Sequence, residues 1–125
     1  MALLYIFLGG GLGAMARHGL SSLIMRQASS GFPWGTLCVN IIGAFVMGVI
    51  IEALALKFDL SHNMKLLLTT GFLGGFTTFS AFSLETVLLI ERHAYAQGAL
   101  YVGLSVFGSV IALMIGLFAV RHLLS

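Results

Sequence analysis

Four long apolar runs follow one another along the chain, and each run ends at a short polar stretch. A helix that crosses a membrane needs about 20 apolar residues, because the hydrocarbon layer is about 30 Å thick. The pattern therefore predicts four transmembrane helices in one all-α membrane domain, residues 1–125, with short turns that contain Ser29, Ser30 and Phe58. The predicted spans are about 2–25, 33–57, 64–90 and 95–120.

The composition of the chain is typical of a membrane protein. Of 125 residues, 59% are hydrophobic and 8% are charged, whereas a soluble domain carries about 25% charged residues. We therefore expect a multi-pass protein of the cell membrane, surrounded by lipid. The net charge of +2 is too small to favour a nucleic-acid partner. No serine–histidine–carboxylate set, phosphate-binding glycine loop or pair of carboxylates indicates an enzyme.

The third run contains an unusual segment, Thr69–Glu85, which holds three glycines, four phenylalanines, four threonines and two serines. Lipid favours uninterrupted apolar helices, and broken helices occur at membrane depth where they are buried in protein or line an aqueous path. We therefore predict a broken third helix on an ion pathway, with the break at Gly71, Gly74 and Gly75, where glycine avoids side-chain clashes. Carbonyls left unpaired at the break could bind a sodium-sized cation if two breaks met across a two-fold axis.

The loop charges predict almost no preference for one orientation. Lys57, Lys65 and Arg121 fall on one side of the membrane, against Arg26 and Arg92 on the other. Lys/Arg bias normally sets orientation, so either one orientation is weakly determined or the chain inserts both ways and forms an antiparallel homodimer. Small residues four apart, which favour close helix packing, occur at Gly9/Gly13, Ala44/Gly48, Gly71/Gly75 and Gly108/Ala112/Gly116.

Polar side chains recur at helical spacing within the second and fourth runs. Thr36 and Asn40 are one turn apart, as are Tyr101, Ser105 and Ser109. A buried amide must be paired or hydrated, so Asn40 serves either as an interhelical hydrogen-bond partner or as a donor to a dehydrated anion. The hydroxyls could face the same path, or bond to carbonyls of their own helices.

The third run also carries phenylalanines at every third position. Phe76, Phe79 and Phe82 are expected to form a stripe on one side of the helix, flanked by Ser80 and followed by Glu85. Such a stripe often serves packing alone. Aromatic ring edges are positive, however, so they could also hold a small anion. We expect Glu85 to have a hydrogen-bonding or gating role, because an ionised carboxylate would repel an anion.

Arg17 interrupts the first run, which contains no acidic residue. An arginine at membrane depth either extends to the interface or serves a function. At a pore mouth it would raise the local anion concentration.

The chain resembles the CrcB/Fluc fluoride channels over essentially its whole length. The residues that carry the resemblance are Gly35-Thr-Leu-Cys-Val-Asn40 and the later run TTGFLGGFTTFSAFSLE. The resemblance implies a passive fluoride channel of the bacterial cytoplasmic membrane, built as a dual-topology antiparallel homodimer with two pores. It also implies a structural sodium ion held by the Gly74 and Thr77 carbonyls at the dimer axis.

The same resemblance implies roles for individual side chains. Phe79 and Phe82 match pore phenylalanines whose ring edges meet fluoride, and Asn40 matches a pore asparagine. The remaining matches are Arg17 in the vestibule and Ser80, Glu85, Tyr101, Ser105 and Ser109 on polar positions of the pathway. The chain departs from the family pattern at Ala81, where a second threonine is usual.

Two other functions fit parts of the pattern. A proton-coupled small multidrug transporter is also a four-span antiparallel dimer, but it needs a membrane-embedded carboxylate, usually in the first span. A non-conducting scaffold held together by the glycine faces is the second alternative.

Overall fold

The structure is a computed structural model that describes residues 1–28, 31–57 and 59–124, so the predicted turn residues Ser29, Ser30 and Phe58 lie outside the described residues. The described chain is helical and contains no strand. Its elements are α1 (Ala2–Gln27), α2 (Trp34–Leu56), α3 (His62–Leu66), a π-helical stretch (Leu67–Leu73), the single turn α4 (Gly74–Phe76), α5 (Phe79–Glu91) and α6 (Tyr95–Leu124).

Three helical segments within the described residues are long and apolar enough to cross a membrane: Trp34–Leu56, His62–Glu91 and Tyr95–Leu124. This confirms the all-α membrane class. Helix α1 has 26 residues and is therefore long enough to span, but Arg17 and His18 lower its apolar character. The bounds of α1, α2, the 62–91 segment and α6 lie within four residues of the four predicted runs.

Helix α1 packs lengthwise against the third helical segment through glycines that bring the two backbones together. A Cβ atom added at Gly9 would lie 3.1 Å from the Gly71 Cα, and one at Gly13 would lie 2.8 Å from the Phe76 nitrogen. Residue numbers rise together along both partners, so the two helices run in the same direction. The glycine pair four residues apart thus serves close helix packing.

Helices α2 and α6 also run in the same direction. The Ile41 side chain lies against Gly108 near the middle of the pair. Farther along both helices, Arg121 donates two hydrogen bonds to Glu52, through Nε at 3.0 Å and Nη2 at 2.7 Å.

Helices that follow one another in the chain run in opposite directions. The Gly35 N–H, at the start of α2, donates to the Met25 sulfur near the end of α1 over 3.3 Å. The loop after α1 and the loop before α6 meet at the same end of the bundle, where Arg92 Nη2 donates to the Gly31 carbonyl over 3.0 Å. The chain therefore alternates in direction along the bundle axis.

The third helical segment is broken, but not where the glycines predict. Thr77 and Thr78 have extended backbones, with φ/ψ of −85°/157° and −150°/124°. Gly71 lies inside the π-helical stretch and Gly74 has helical torsions of −64° and −36°. The prediction that the glycines form the break is wrong: Gly71 and Gly75 instead let this segment approach α1, as the contact of Gly71 with Gly9 shows.

Candidate functional site

The break in the third helix is held open by Asn40 of α2. Asn40 Oδ1 accepts a hydrogen bond from the Thr78 N–H at 2.8 Å, and Asn40 Nδ2 donates to the Thr78 carbonyl at 3.0 Å. Both backbone groups of Thr78 are therefore paired outside the helix ladder, as burial of a polar backbone requires. One N–H of the amide is used in this way, and its second N–H is left for another acceptor.

The Gly74 and Thr77 carbonyls, beside the break, have lost their helical donors. In a continuous helix the Gly74 carbonyl would accept from the Thr78 N–H, which instead bonds to Asn40. The Thr77 carbonyl would accept from the Ala81 N–H, which instead donates to the Thr78 hydroxyl over 3.2 Å. Neither carbonyl accepts a hydrogen bond within the described part of the chain.

Arg17 lies against the helix before the break. Its Nε donates to the Gly75 carbonyl over 3.2 Å. The Gly75 oxygen therefore has a hydrogen-bond partner, although the broken helix no longer supplies a backbone donor to it. The side chain is half-buried and does not line the groove described next. The structure therefore shows Arg17 pairing with the broken helix, in contrast to simple extension towards an interface.

A groove of about 420 Å³ opens beside the break, between α2, α5 and α6. It brings together five residues that the sequence analysis assigns to the ion pathway: Asn40, Phe79, Phe82, Ser105 and Ser109. The rest of its lining is Gly43, Ala44, Met47, Thr77, Thr78, Val106, Val110 and Leu113. The groove is largely apolar, with an amide and hydroxyls at separate points along its walls.

The Ser105 hydroxyl is a buried polar group of the groove that lacks a hydrogen-bond partner among the described residues. Ser105 is 7% exposed, and its oxygen makes no hydrogen bond within the described residues. By contrast, the hydroxyls of Thr69, Thr77 and Thr86 bond to carbonyls of their own helices at 2.7–2.9 Å. Since a buried unpaired hydroxyl is costly, Ser105 needs a water or a ligand in the groove.

A second polar cluster adjoins the groove behind Phe82. Thr36 donates from its hydroxyl to Glu85 Oε1 over 2.5 Å. Tyr101 is fully buried, and its hydroxyl lies close to Thr36 and to the Glu85 carboxylate. Phe82 lines the groove and packs on Tyr101, with ring centroids 5.2 Å apart.

The phenylalanines do not form one stripe, because the break separates them. Phe76 precedes the break, is buried, and stacks with Phe72 at a centroid distance of 6.0 Å. Phe79 and Phe82 follow the break and contact each other at 5.4 Å. The predicted three-residue stripe is therefore wrong for Phe76, whose role is packing, while Phe79 and Phe82 share the groove.

The remaining predicted positions lie around the start of α5. Ser80 is exposed, and its hydroxyl lies 3.2 Å from the Thr78 hydroxyl. Ala81, where the family pattern has threonine, contributes its N–H to the Thr78 cap. Within residues 1–28, 31–57 and 59–124, no group of three or more histidine, cysteine, aspartate or glutamate side chains could hold a metal.

The ion pair between Glu52 and Arg121 was not foreseen. Glu52 is 7% exposed and joins α2 to α6 through Arg121, whose guanidinium also lies 5.3 Å from the Phe118 ring centroid. A signal was present, because a carboxylate inside an apolar run requires a partner. Identifying the partner required knowing that α2 and α6 are parallel neighbours.

Comparison with known proteins identifies relatives along the whole chain. Residues 4–117 match the family model described as CrcB-like protein, Camphor Resistance (CrcB). The chain is 49% identical over 122 residues to the fluoride-specific ion channel FluC of Chelativorans sp. (strain BNC1), covering 98% of both proteins. It is 50% identical over 124 residues to the protein of the same name from Granulibacter bethesdensis, covering 99% of this chain and 98% of the relative. A third FluC, from Rhizobium johnstonii, is 49% identical over 115 residues and 92% of each chain.

Proposed function

Because this chain belongs to the CrcB-like family, we propose that it is a fluoride-specific ion channel of the cell membrane, which lets fluoride leave the cell passively and so protects against fluoride toxicity. The observation that carries this function is 49–50% identity, over 98–99% of the chain, to two relatives named as fluoride-specific channels. The activity is ion conduction, and no enzymatic reaction is assigned to the chain.

The groove beside the break supplies chemistry that suits fluoride. Fluoride is small and strongly hydrated, so dehydrating it requires several weak donors at close quarters. The second N–H of Asn40, the unpaired hydroxyl of Ser105 and the ring edges of Phe79 and Phe82 are such donors. None of them carries a full charge, which leaves binding weak enough for the ion to leave.

The second cluster extends this polar path along the bundle. Thr36, Glu85 and Tyr101 lie one turn from Asn40, Phe82 and Ser105 respectively, so their hydroxyl and carboxyl groups lie next to the groove, behind Phe82. Ser109 and Ser80 extend it beyond the break, and Arg17 raises the local anion concentration near one mouth. The membrane potential then drives export, at about 2.3 kcal/mol per charge per 100 mV.

The functional unit is a dual-topology antiparallel homodimer of four-span subunits. Support for four spans comes from the alternating helix directions, with the loops of Gly31 and Arg92 at one end. Support for a partner comes from the open groove and from Phe79, which is 77% exposed although it lines that groove. A second, inverted copy would complete the wall and form the inverted repeat that transporters often carry within one chain.

A structural sodium ion at the dimer axis fits the carbonyls at the break. The Gly74 and Thr77 carbonyls accept no hydrogen bond from the described residues, and Gly74 is exposed on the protomer surface. Backbone oxygens of this kind suit a hard cation, and two copies would present two pairs of them. When bound, the ion would offset the partial negative charge of the four carbonyls.

The two alternative functions have less support. A proton-coupled transporter needs a carboxylate in its first span, and α1 (Ala2–Gln27) contains Arg17 and no acid. A non-conducting scaffold explains the close packing of the glycines but does not explain why the buried Ser105 hydroxyl has no hydrogen-bond partner among the described residues.

Flux from reconstituted vesicles separates these functions. Vesicles loaded with potassium fluoride are treated with valinomycin, and fluoride release is followed with a fluoride electrode, beside protein-free vesicles and vesicles loaded with chloride. We expect rapid fluoride release that is unchanged by a proton gradient, with slow chloride release. Release only under a proton gradient would favour the transporter, and no release above protein-free vesicles would favour the scaffold.

A further inference from the structure

We propose that Asn40 is a positioning residue for the cation at the dimer axis, because it keeps the Gly74 carbonyl free. The inference rests on the proposed sodium site and concerns how this chain builds it. It assigns Asn40 a second role, separate from any donor it presents to fluoride: the two amide atoms bonded to Thr78 prevent the helix from closing across the break.

The first step concerns the donor that Gly74 has lost. A helix pairs each N–H with the carbonyl four residues earlier, so Thr78 and Gly74 would normally bond. The Thr78 N–H lies 2.8 Å from Asn40 Oδ1 instead. Because a backbone N–H makes one good hydrogen bond, Asn40 competes directly with the Gly74 carbonyl for this donor.

The second step concerns why an amide is needed. Turning Thr78 away from the helix leaves both its carbonyl and its N–H without a helical partner, and each buried group left unpaired destabilises the fold. Asn40 satisfies both, since Nδ2 also donates to the Thr78 carbonyl at 3.0 Å. A protonated aspartic acid could do the same, whereas an apolar side chain could do neither.

The third step concerns which carbonyls remain. The Leu73 carbonyl accepts from the Thr77 N–H and hydroxyl at 3.0 and 2.9 Å. The Gly75 carbonyl accepts from Arg17. Within the described residues, the carbonyls of Gly74, Phe76 and Thr77 accept no hydrogen bond. Asn40 of α2 leaves the Gly74 oxygen free and Arg17 of α1 occupies the Gly75 oxygen, so these two side chains help to decide which carbonyls remain for a cation.

The test is the dependence of stability on sodium, measured on purified dimer by thermal unfolding in sodium chloride and in choline chloride at equal ionic strength. A ligand present at about ten times its Kd should raise the unfolding temperature of the unaltered protein by about 3–6 °C. In Asn40→Leu, Thr78 can return its N–H to Gly74, so we expect the sodium shift to be lost. Asn40→Asp keeps an acceptor that withholds the Thr78 N–H from Gly74, so it should retain the sodium shift. Phe79→Ile is the matched control in the groove and should also retain the sodium shift.

Each result decides between the alternatives. A full sodium shift in Asn40→Leu would overturn the proposal, as would loss of the shift in Asn40→Asp when Phe79→Ile keeps it. If Asn40→Leu does not yield folded dimer, Asn40→Ser is used in its place. The serine side chain is one atom shorter than asparagine, so its oxygen does not reach the Thr78 N–H. If the unaltered protein shows no sodium shift, the cation site and this inference both fail. Fluoride flux measured on the same sample shows separately whether the channel function stands.

Discussion

Replacing Phe79 by isoleucine should slow fluoride conduction without weakening the fold. Phe79 lines the groove, yet it is 77% exposed within the protomer and its described ring contact is Phe82, at 5.4 Å. Isoleucine keeps an apolar side chain of similar volume but has no positive ring edge. The substitution therefore removes the proposed contact with the anion and little else.

The structure sets the expected size of each effect. An exposed side chain with few contacts changes the free energy of unfolding by less than about 0.5 kcal/mol. A contact between two aromatic rings is worth about 0.5–1.5 kcal/mol. We take the same range for the contact between fluoride and a ring edge, so its loss should slow flux by up to about tenfold, because about 1.4 kcal/mol in the barrier is a factor of ten in rate. Phe82→Ile should slow flux similarly but also destabilise the protein by about 1–3 kcal/mol, because the Phe82 ring packs on both Phe79 and Tyr101.

The assay is fluoride efflux from vesicles of equal protein content, with thermal unfolding of each variant measured in parallel. Phe107→Ile is the matched control, since Phe107 is 69% exposed on α6 and does not line the groove. We expect Phe107→Ile to conduct as the unaltered protein does. If Phe79→Ile and Phe107→Ile conduct equally fast, the ring of Phe79 has no part in permeation and serves only packing between subunits.

Three further changes test the fold and the assembly. Gly13→Ala should destabilise the protein by about 1–3 kcal/mol, because the added Cβ would lie 2.8 Å from the Phe76 nitrogen. Gly19→Ala is the control and should raise stability slightly, because nothing lies within 4 Å of its added Cβ. Equal unfolding temperatures of these two variants would refute the packing argument. Arg121→Met should cost about 3 kcal/mol by leaving the buried Glu52 carboxylate unpaired, whereas Arg121→Met combined with Glu52→Gln should recover most of the loss in urea unfolding. Two lysines added to the loop after α1 should abolish flux in a dual-topology dimer unless an oppositely biased copy is co-expressed, so retained flux alone would argue for one orientation.

The helices could be predicted from the sequence because lipid restricts the secondary structures that a membrane-spanning segment can adopt. A run of about 20 apolar residues has to satisfy its backbone internally, and the polar stretches then mark the ends of the helices. The helix ends at Trp34, Glu91 and Tyr95 lie within one residue of the predicted bounds. Bundle geometry is less accessible, because which helices are parallel neighbours depends on contacts such as Glu52 with Arg121.

The position of the break could not be predicted from local sequence. Glycine allows a helix to break, so the sequence favours Gly71, Gly74 and Gly75, but glycine does not by itself cause a helix to break. The chain leaves the helix at Thr77 and Thr78 because Asn40, some 38 residues earlier, offers both a donor and an acceptor to the Thr78 backbone. Local helix propensity does not show that a side chain from another helix competes for a backbone hydrogen bond.

Hydroxyl groups in the bundle divide into two sets, and the division argues for a path along it. The hydroxyls of Thr69, Thr77 and Thr86 bond to carbonyls one turn earlier in the chain, which is the ordinary way to satisfy a hydroxyl inside a helix. Ser105 has no such bond although it is buried, and it lines the groove beside Phe82. A protein that only packed helices would gain stability by replacing this hydroxyl with hydrogen. The Ser105 hydroxyl is therefore better explained by an ion or its water, which would supply a partner that the described residues do not.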